Sequence, residues 1–286
     1  KDLMNKSMKK TKGTLIYLLF FLIFTAKLNA ATNSKLNFTH FTSGDSNLSF
    51  NNINTISQDS NGFIWIATED GLNRYNGNSF VCYYKEVLGI NTDFITALCP
   101  DESGNMWIGT DNGATFYCYL EDRFIPLTDK SDKETIINGK VTHISIDRNE
   151  KVWMSVNGLG LFSYNPKTKE IINYFSENGT TTLPVNIKTF FIDNNDEFWF
   201  SLYFYDLWHS DSCLQTITPV KLEGWEMHDD IVAIEKSPFN NNLYLWLATK
   251  TGLYMYDTIN DTTTFITAIK DDKFSLSDEN VTSVFM

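Results

Sequence analysis

Cysteine, proline and basic residues are all scarce in this sequence. Four cysteines in 286 residues are too few for a disulfide scaffold, and no CxxC or Cys/His spacing points to zinc. Six prolines and fifteen glycines exclude collagen-like and low-complexity chains. A 42% hydrophobic content excludes a disordered one. Lys and Arg number 23 against 35 Asp and Glu, a net charge of −12. Beyond residue 30 the imbalance deepens to 17 basic and 34 acidic residues, a net of −17. Such a surface repels phosphate backbones and anionic lipid, so this region is not expected to bind nucleic acid. Gly-x-Gly-x-x-Gly, P-loop, Gly-x-Ser-x-Gly and His-Glu-x-x-His motifs are absent, which removes the common nucleotide, acyl-transfer and zinc-protease signatures. His40, His143, His209 and His228 do not cluster in sequence. No catalytic residue, metal site or cofactor is expected.

The first thirty residues carry a different message. Lys6, Lys9, Lys10 and Lys12 precede Leu15 to Ala26, twelve residues without a charge, and Leu28-Asn29-Ala30 follows as a small-residue cleavage site. That layout predicts a secretory signal peptide over residues 1–30, cut after Ala30. A short uncleaved anchor is the alternative, the apolar run being shorter than the roughly 20 residues a spanning helix needs. Either reading puts residues 31–286 outside the cytoplasm. There Cys82, Cys99, Cys118 and Cys213, irregularly spaced in strand-like runs, are expected as buried single thiols.

The body is one sentence written five times. Trp65, Trp107, Trp153, Trp199 and Trp246 are spaced by 42, 46, 46 and 47 residues. The first copy runs INTISQDSNGFIWIATEDGLNRY from Ile53 to Tyr75, and the second ITALCPDESGNMWIGTDNGATFY from Ile95 to Tyr117. In the first four copies an aliphatic residue stands twelve positions before the tryptophan. An alternating strand leads to an Asp-x-x-Gly hairpin turn, then to a strand bearing the tryptophan. A glycine turn (Gly71, Gly113, Gly160, Gly252) opens a third strand, and a fourth follows. Four short strands per repeat of this length make the blade of a β-propeller. The fold class is therefore all-β: a propeller of four-stranded antiparallel blades, with five full blades and the opening of a sixth at Val281 to Val284. The tryptophan is the natural filler between blades. Asp59, Asp101, Asp147 and Asp193 recur in the hairpin turns and are read as structural; calcium is disfavoured because the turns lack a dense set of carboxylates.

The segments Gln58 to Ile64 and Trp65-Ile66-Ala67-Thr68-Glu69-Asp70-Gly71-Leu72-Asn73-Arg74-Tyr75 resemble the repeat of the two-component regulator propeller family. The fourth copy departs from it, with Asp206-Leu207-Trp208 in place of Gly-Leu-Tyr. The resemblance implies the periplasmic sensor half of a hybrid two-component system, in a seven-bladed ring. It also implies further regions after Met286: a membrane helix anchoring the parent in the inner membrane, a histidine kinase, and the surfaces through which a homodimer would form. The chain is accordingly expected to be an N-terminal fragment, with Leu36 to Phe41 as an outer strand able to close a ring with the last blade.

Residues that break the repeat are candidates for ligand binding. Trp208 and Trp225 fall outside the tryptophan series, and with Tyr203, Tyr205, His209, Glu226, His228 and Asp229 they concentrate aromatic and polar groups around blades four and five. Aromatic rings stack on sugar C–H faces while carboxylates take hydroxyls, so this mixture suits an oligosaccharide or another small ligand. Packing between irregular blades is the competing reading. Function is thus read as ligand sensing, with a secreted polysaccharide lyase or glycosidase and a protein-binding scaffold as alternatives.

Overall fold

The computed structural model describes residues 38–90, 92–127, 137–174, 186–202, 207–223, 230–237, 244–272 and 275–284. The expected signal peptide, Tyr203, Tyr205, Asp206, Trp225, Glu226, His228 and Asp229 lie outside them. Chain contacts separate residues 1–40 from Phe41–Met286, and every strand belongs to the second unit. Among the described residues, no helix is long and apolar enough to cross a membrane.

The second unit is a series of four-stranded antiparallel sheets, each paired in chain order. Blade one holds β1 (Ile53–Gln58), β2 (Ile64–Thr68), β3 (Gly71–Tyr75) and β4 (Phe80–Tyr83). A single helical turn, α1 (Lys85–Leu88), leads to blade two: β5 (Ile95–Pro100), β6 (Met106–Thr110), β7 (Gly113–Cys118) and β8 (Arg123–Pro126). Blade three is β9 (Val141–Ile146), β10 (Val152–Val156), β11 (Gly160–Asn165) and β12 (Glu170–Asn173). Blade four is β13 (Ile187–Ile192), β14 (Phe198–Leu202), β15 (Leu207–Ser210) and β16 (Ile217–Pro219). Blade five is β17 (Ile231–Lys236), β18 (Tyr244–Thr249), β19 (Leu253–Asp257) and β20 (Thr262–Ile266). The first strands of successive blades neighbour one another, as in a propeller.

Two devices recur through the blades. The hairpin aspartate is a hub. Asp59 Oδ1 accepts the backbone N–H groups of Asn61 and Phe63, and its Oδ2 accepts the Trp65 indole N–H at 2.7 Å. Asp147 does the same for Asn149, Lys151 and Trp153, and Asp193 for Asn195, Glu197 and Trp199. These carboxylates are spent on folding, as their recurrence predicts. The glycine turn is the second device. Gly71 sits at φ 112°, and a Cβ there would meet Tyr84 at 3.1 Å and Ser49 at 3.3 Å, so a side chain is excluded both by conformation and by space.

The seams between blades hold the core. Each of the first four tryptophans is covered by the blade after its own: Trp65 meets Tyr117 at 4.9 Å between ring centres, Trp107 meets Tyr164 at 5.7 Å, Trp153 meets Phe198 at 4.7 Å and Trp199 meets Tyr256 at 6.0 Å. These four are between 0% and 7% exposed, whereas Trp246 is only half-buried. At the inner ends, side chains reach across to the next first strand. Asn54 donates to the Ile95 carbonyl at 2.7 Å, Thr96 to that of Val141 at 2.6 Å, and Thr142 to that of Ile187 at 3.2 Å. The open side of blade one is correspondingly apolar. Ile56 is 57% exposed, while its counterparts Ile144, Phe190 and Ile234 are almost wholly buried.

Two terminal expectations need correction. Phe38 to Phe41 forms no strand, and neither does Val281 to Val284; a strand needs a full ladder, and the latter segment makes one backbone bond, from the Val281 N–H to the Thr249 carbonyl at 2.9 Å. Register nevertheless persists. Phe41 precedes Ile53 by the same interval as Tyr83 precedes Ile95. It packs on Phe80 at 5.4 Å, as Tyr83 packs on Phe124 at 4.9 Å. The thiols are free, but Cys213 is exposed in the β15–β16 hairpin rather than buried. Cys99 follows expectation more closely, and burial pushes its thiol up to about 12, far from the reactive range.

His143 on β9 lies between blades three and four, its ring 5.0 Å from that of Phe190 and its Nδ1 3.4 Å from Thr189 Oγ1. Burial lowers its pKa to about 4. The unfolded imidazole, near 6.5, binds a proton that the folded one refuses, so stability falls as pH drops from about 6.5 towards 4, by up to about 3 kcal/mol. Urea midpoints at about pH 7 and about pH 4.5 should show this loss, and His143→Gln should remove that share of it. An unchanged slope in the variant would assign the acid sensitivity elsewhere.

Candidate functional site

Alternation along a strand sends neighbouring side chains to opposite faces of a sheet. β15 carries two adjacent candidates, Trp208 and His209, and the structure separates them. Trp208 packs with the cluster of Trp153, Phe190, Phe198 and Phe200, on the blade-three side. It does not face a loop-lined surface, and it is no departure from the repeat. Its register places it opposite Phe200, as Phe162 stands opposite Met154 and Tyr254 opposite Leu247. Blades three to five therefore all set a buried or half-buried aromatic here. The Trp208 indole N–H is buried and has no partner among the described residues.

His209 faces blade five. It pairs in register with Trp199 and its ring lies 4.3 Å from the indole, tilted by 38°. Its Nε2 is 3.1 Å from Glu197 Oε2 on the preceding hairpin. The same register position holds Arg74, Phe116, Ser163 and Met255 in the other blades, so what rests on the tryptophan is the variable part of the repeat. In blade one Arg74 lies over the rings of Phe63, Trp65, Tyr83 and Tyr117 and donates to Tyr117 Oη at 2.6 Å.

A cleft of about 680 Å³ opens beside His209 between blades four and five. Small side chains stand at two outer positions of this seam. In the first seam, Tyr83 stacks on Trp65 and meets Phe124 of the next outer strand. Tyr174 covers Trp153 at 5.0 Å in the third. The equivalent of Tyr83 and Tyr174 in blade four is Val220, whose N–H bonds the Leu207 carbonyl just as that of Tyr174 bonds Leu161. The equivalent of Phe124 in blade five is Thr263, opposite Tyr256. Two small groups thus stand where the first seam has rings, as Leu127 and Ile171 do in the second seam. The Asp193–Trp199 bond is correspondingly long, 3.4 Å against 2.7 and 2.8 Å in blades one and three.

The cleft is lined by Asp193, Glu197, Asp261 and Lys221 among its charged groups. Tyr256 donates to Asp261 Oδ1 at 2.9 Å; burial, and then that bond, raise its pKa. Deeper in the fold, Lys188 and Lys250 share Asp230 at 3.4 and 3.0 Å, and burial lowers the Lys188 pKa. No group of three or more His, Cys, Asp or Glu could hold a metal among the described residues. Of the candidates within the described residues, His209 alone lies at this cleft. Tyr256 was missed because it belongs to the repeat grammar, while Glu197 and Asp261 sit in turns. The signal that could have found them is the missing ring at Val220.

Comparison with known proteins comes to the same repeat. Residues 47–70 and 89–112 match the family model described as two component regulator propeller, within the first two blades. A curated protein of Formosa agariphila, Histidine kinase P4, is 29% identical over 176 residues, covering 58% of this chain and 13% of that protein. An extracellular domain assigned to a hybrid two-component system of B. thetaiotaomicron superposes with a TM-score of 0.53 at 21% identity, over 86% of this chain and 39% of that one. Another B. thetaiotaomicron extracellular domain, assigned to a one-component system, gives 0.60 at 19% identity, over 79% and 31%. Virginiamycin B lyase from Staphylococcus aureus gives 0.58 at 14% identity, over 76% and 70%. At these identities the superpositions establish the propeller fold, and the chain spans well under half of the histidine kinase and of both B. thetaiotaomicron domains.

Proposed function

We propose that this chain is the extracytoplasmic ligand-sensing propeller of a two-component sensor histidine kinase, and that its ligand is an oligosaccharide released from a glycan. The observation that carries the sensor reading is the repeat itself. Its first two copies match the regulator-propeller model, and the alignment to a histidine kinase extends over more than half the chain. The extracellular placement of the similar solved domains and the export signal predicted in residues 1–30 support a periplasmic location. The kinase and the membrane helix belong to other parts of the parent protein.

A ligand shifts a receptor only by binding one arrangement better than another. Interlocked blades resist deformation, so the switch is assigned to rigid-body movement of whole propellers in a homodimer. The hydrolase or lyase alternative draws no support from the recurring carboxylates, since Asp59, Asp147 and Asp193 are tied to hairpin and indole N–H groups. A fold shared with a lyase does not transfer its chemistry.

The test is genetic. An in-frame deletion of residues 38–286 in the parent gene should abolish induction of glycan-utilisation genes by the inducing oligosaccharide. Retained induction with the deleted receptor would overturn the sensor reading.

A further inference from the structure

We infer that the cleft between blades four and five is a saccharide site, and that it selects neutral over anionic sugars; this rests on the sensing reading above. Three observations support it. The cleft is bordered by Val220, and Thr263 stands opposite Tyr256, where the first seam carries the rings of Tyr83 and Phe124. Its rim offers hydrogen-bond acceptors. Glu197 and His209 are both part-exposed at the rim, with side-chain exposures of 37% and 29%. Only one Glu197 oxygen pairs with His209, which leaves the other available for a sugar hydroxyl. The third observation is charge. Asp193, Glu197 and Asp261 stand against Lys221, and a net-negative cleft repels carboxylate and sulfate groups.

Aromatic and apolar surface completes the chemistry. The His209 ring lies over Trp199, and Pro219 and the exposed Ile259 border the opening. These offer flat faces to the C–H side of a pyranose, while carboxylates take its hydroxyls. Glucose-, mannose- and xylose-based oligosaccharides fit this description, and uronate-bearing or sulfated ones do not.

The experiment is calorimetric titration of the full chain with neutral oligosaccharides of about four to six units, beside uronate and sulfated ones of equal length, with Tm recorded for each variant. Neutral sugars should bind and anionic ones should not. Val220→Tyr, which restores the ring present in blades one and three, should abolish binding while leaving Tm unchanged or higher. Glu197→Gln and His209→Ala should each weaken binding about tenfold with little change in Tm. If Val220→Tyr fails to fold, these two part-exposed positions decide. Neutral-sugar binding that survives all three variants overturns the cleft and leaves the sensing reading standing. Binding confined to anionic sugars overturns the selectivity. No binding by any saccharide overturns the site together with the sugar ligand, whereas the sensor reading stands or falls on the gene deletion.

Discussion

Trp65→Ala should destabilise the chain by about 3–5 kcal/mol, as truncation of other fully buried aromatics does, and Trp246→Ala should cost clearly less. Both occupy the same place in the repeat, so propensity and strand position are equal. What differs is the neighbour. Trp65 is 0% exposed, held between Tyr83 of its own blade and Tyr117 of the next, with the Arg74 guanidinium over its ring. Removing it empties a space that these three groups line and strands the carboxylate of Asp59. Trp246 is half-buried and already gives part of its surface to water. Urea denaturation of the two variants measures the contrast, and equal losses would show that the tryptophans act within their own sheets rather than as seam fillers.

The second large effect is at the hairpin hub. Asp59→Ala should cost about 2–4 kcal/mol, because it leaves the buried Trp65 indole N–H and two turn N–H groups without their acceptor. Asp59 is 5% exposed, so water replaces the carboxylate poorly. Asp101→Ala should cost less. Asp101 also accepts the turn N–H groups of Ser103 and Asn105, but its second oxygen takes the Asn105 side-chain amide rather than an indole. Thermal unfolding of the pair checks this, and equal shifts would remove the indole bond from the account.

These two results would follow from features that a single sequence displays openly. Tryptophans in step, an aspartate six positions ahead of each of the first four, and glycines at the turns are all set by backbone geometry that every blade must satisfy. Blade number, strand order and the structural role of the aspartates were therefore legible. The site was not, for two physical reasons. Trp208 and His209 are neighbours in sequence but face different seams, and the reading that grouped them ignored alternation across the sheet. Trp208 also fills a place that Phe162 and Tyr254 fill in adjacent blades, which spacing from the main tryptophan series conceals. The cleft itself is bordered by the small side chain of Val220. A small residue in an outer strand carries no chemical signature until its counterparts Tyr83, Tyr174 and Phe124 are aligned with it in space.

The one-way covering of the tryptophans has a spectroscopic consequence. Because each of the first four indoles is shielded by the blade after its own, its emission reports on that later blade's docking. Loosening blade three would move the fluorescence of Trp107 to longer wavelength while Trp153, which lies in blade three itself but is capped by Phe198 of blade four, would respond only if the disturbance travelled onward. Single-tryptophan versions of the chain would thus form an ordered set of optical probes, each displaced by one blade from the event it records. With them, the direction in which unfolding spreads through the stack could be read as a sequence of colours.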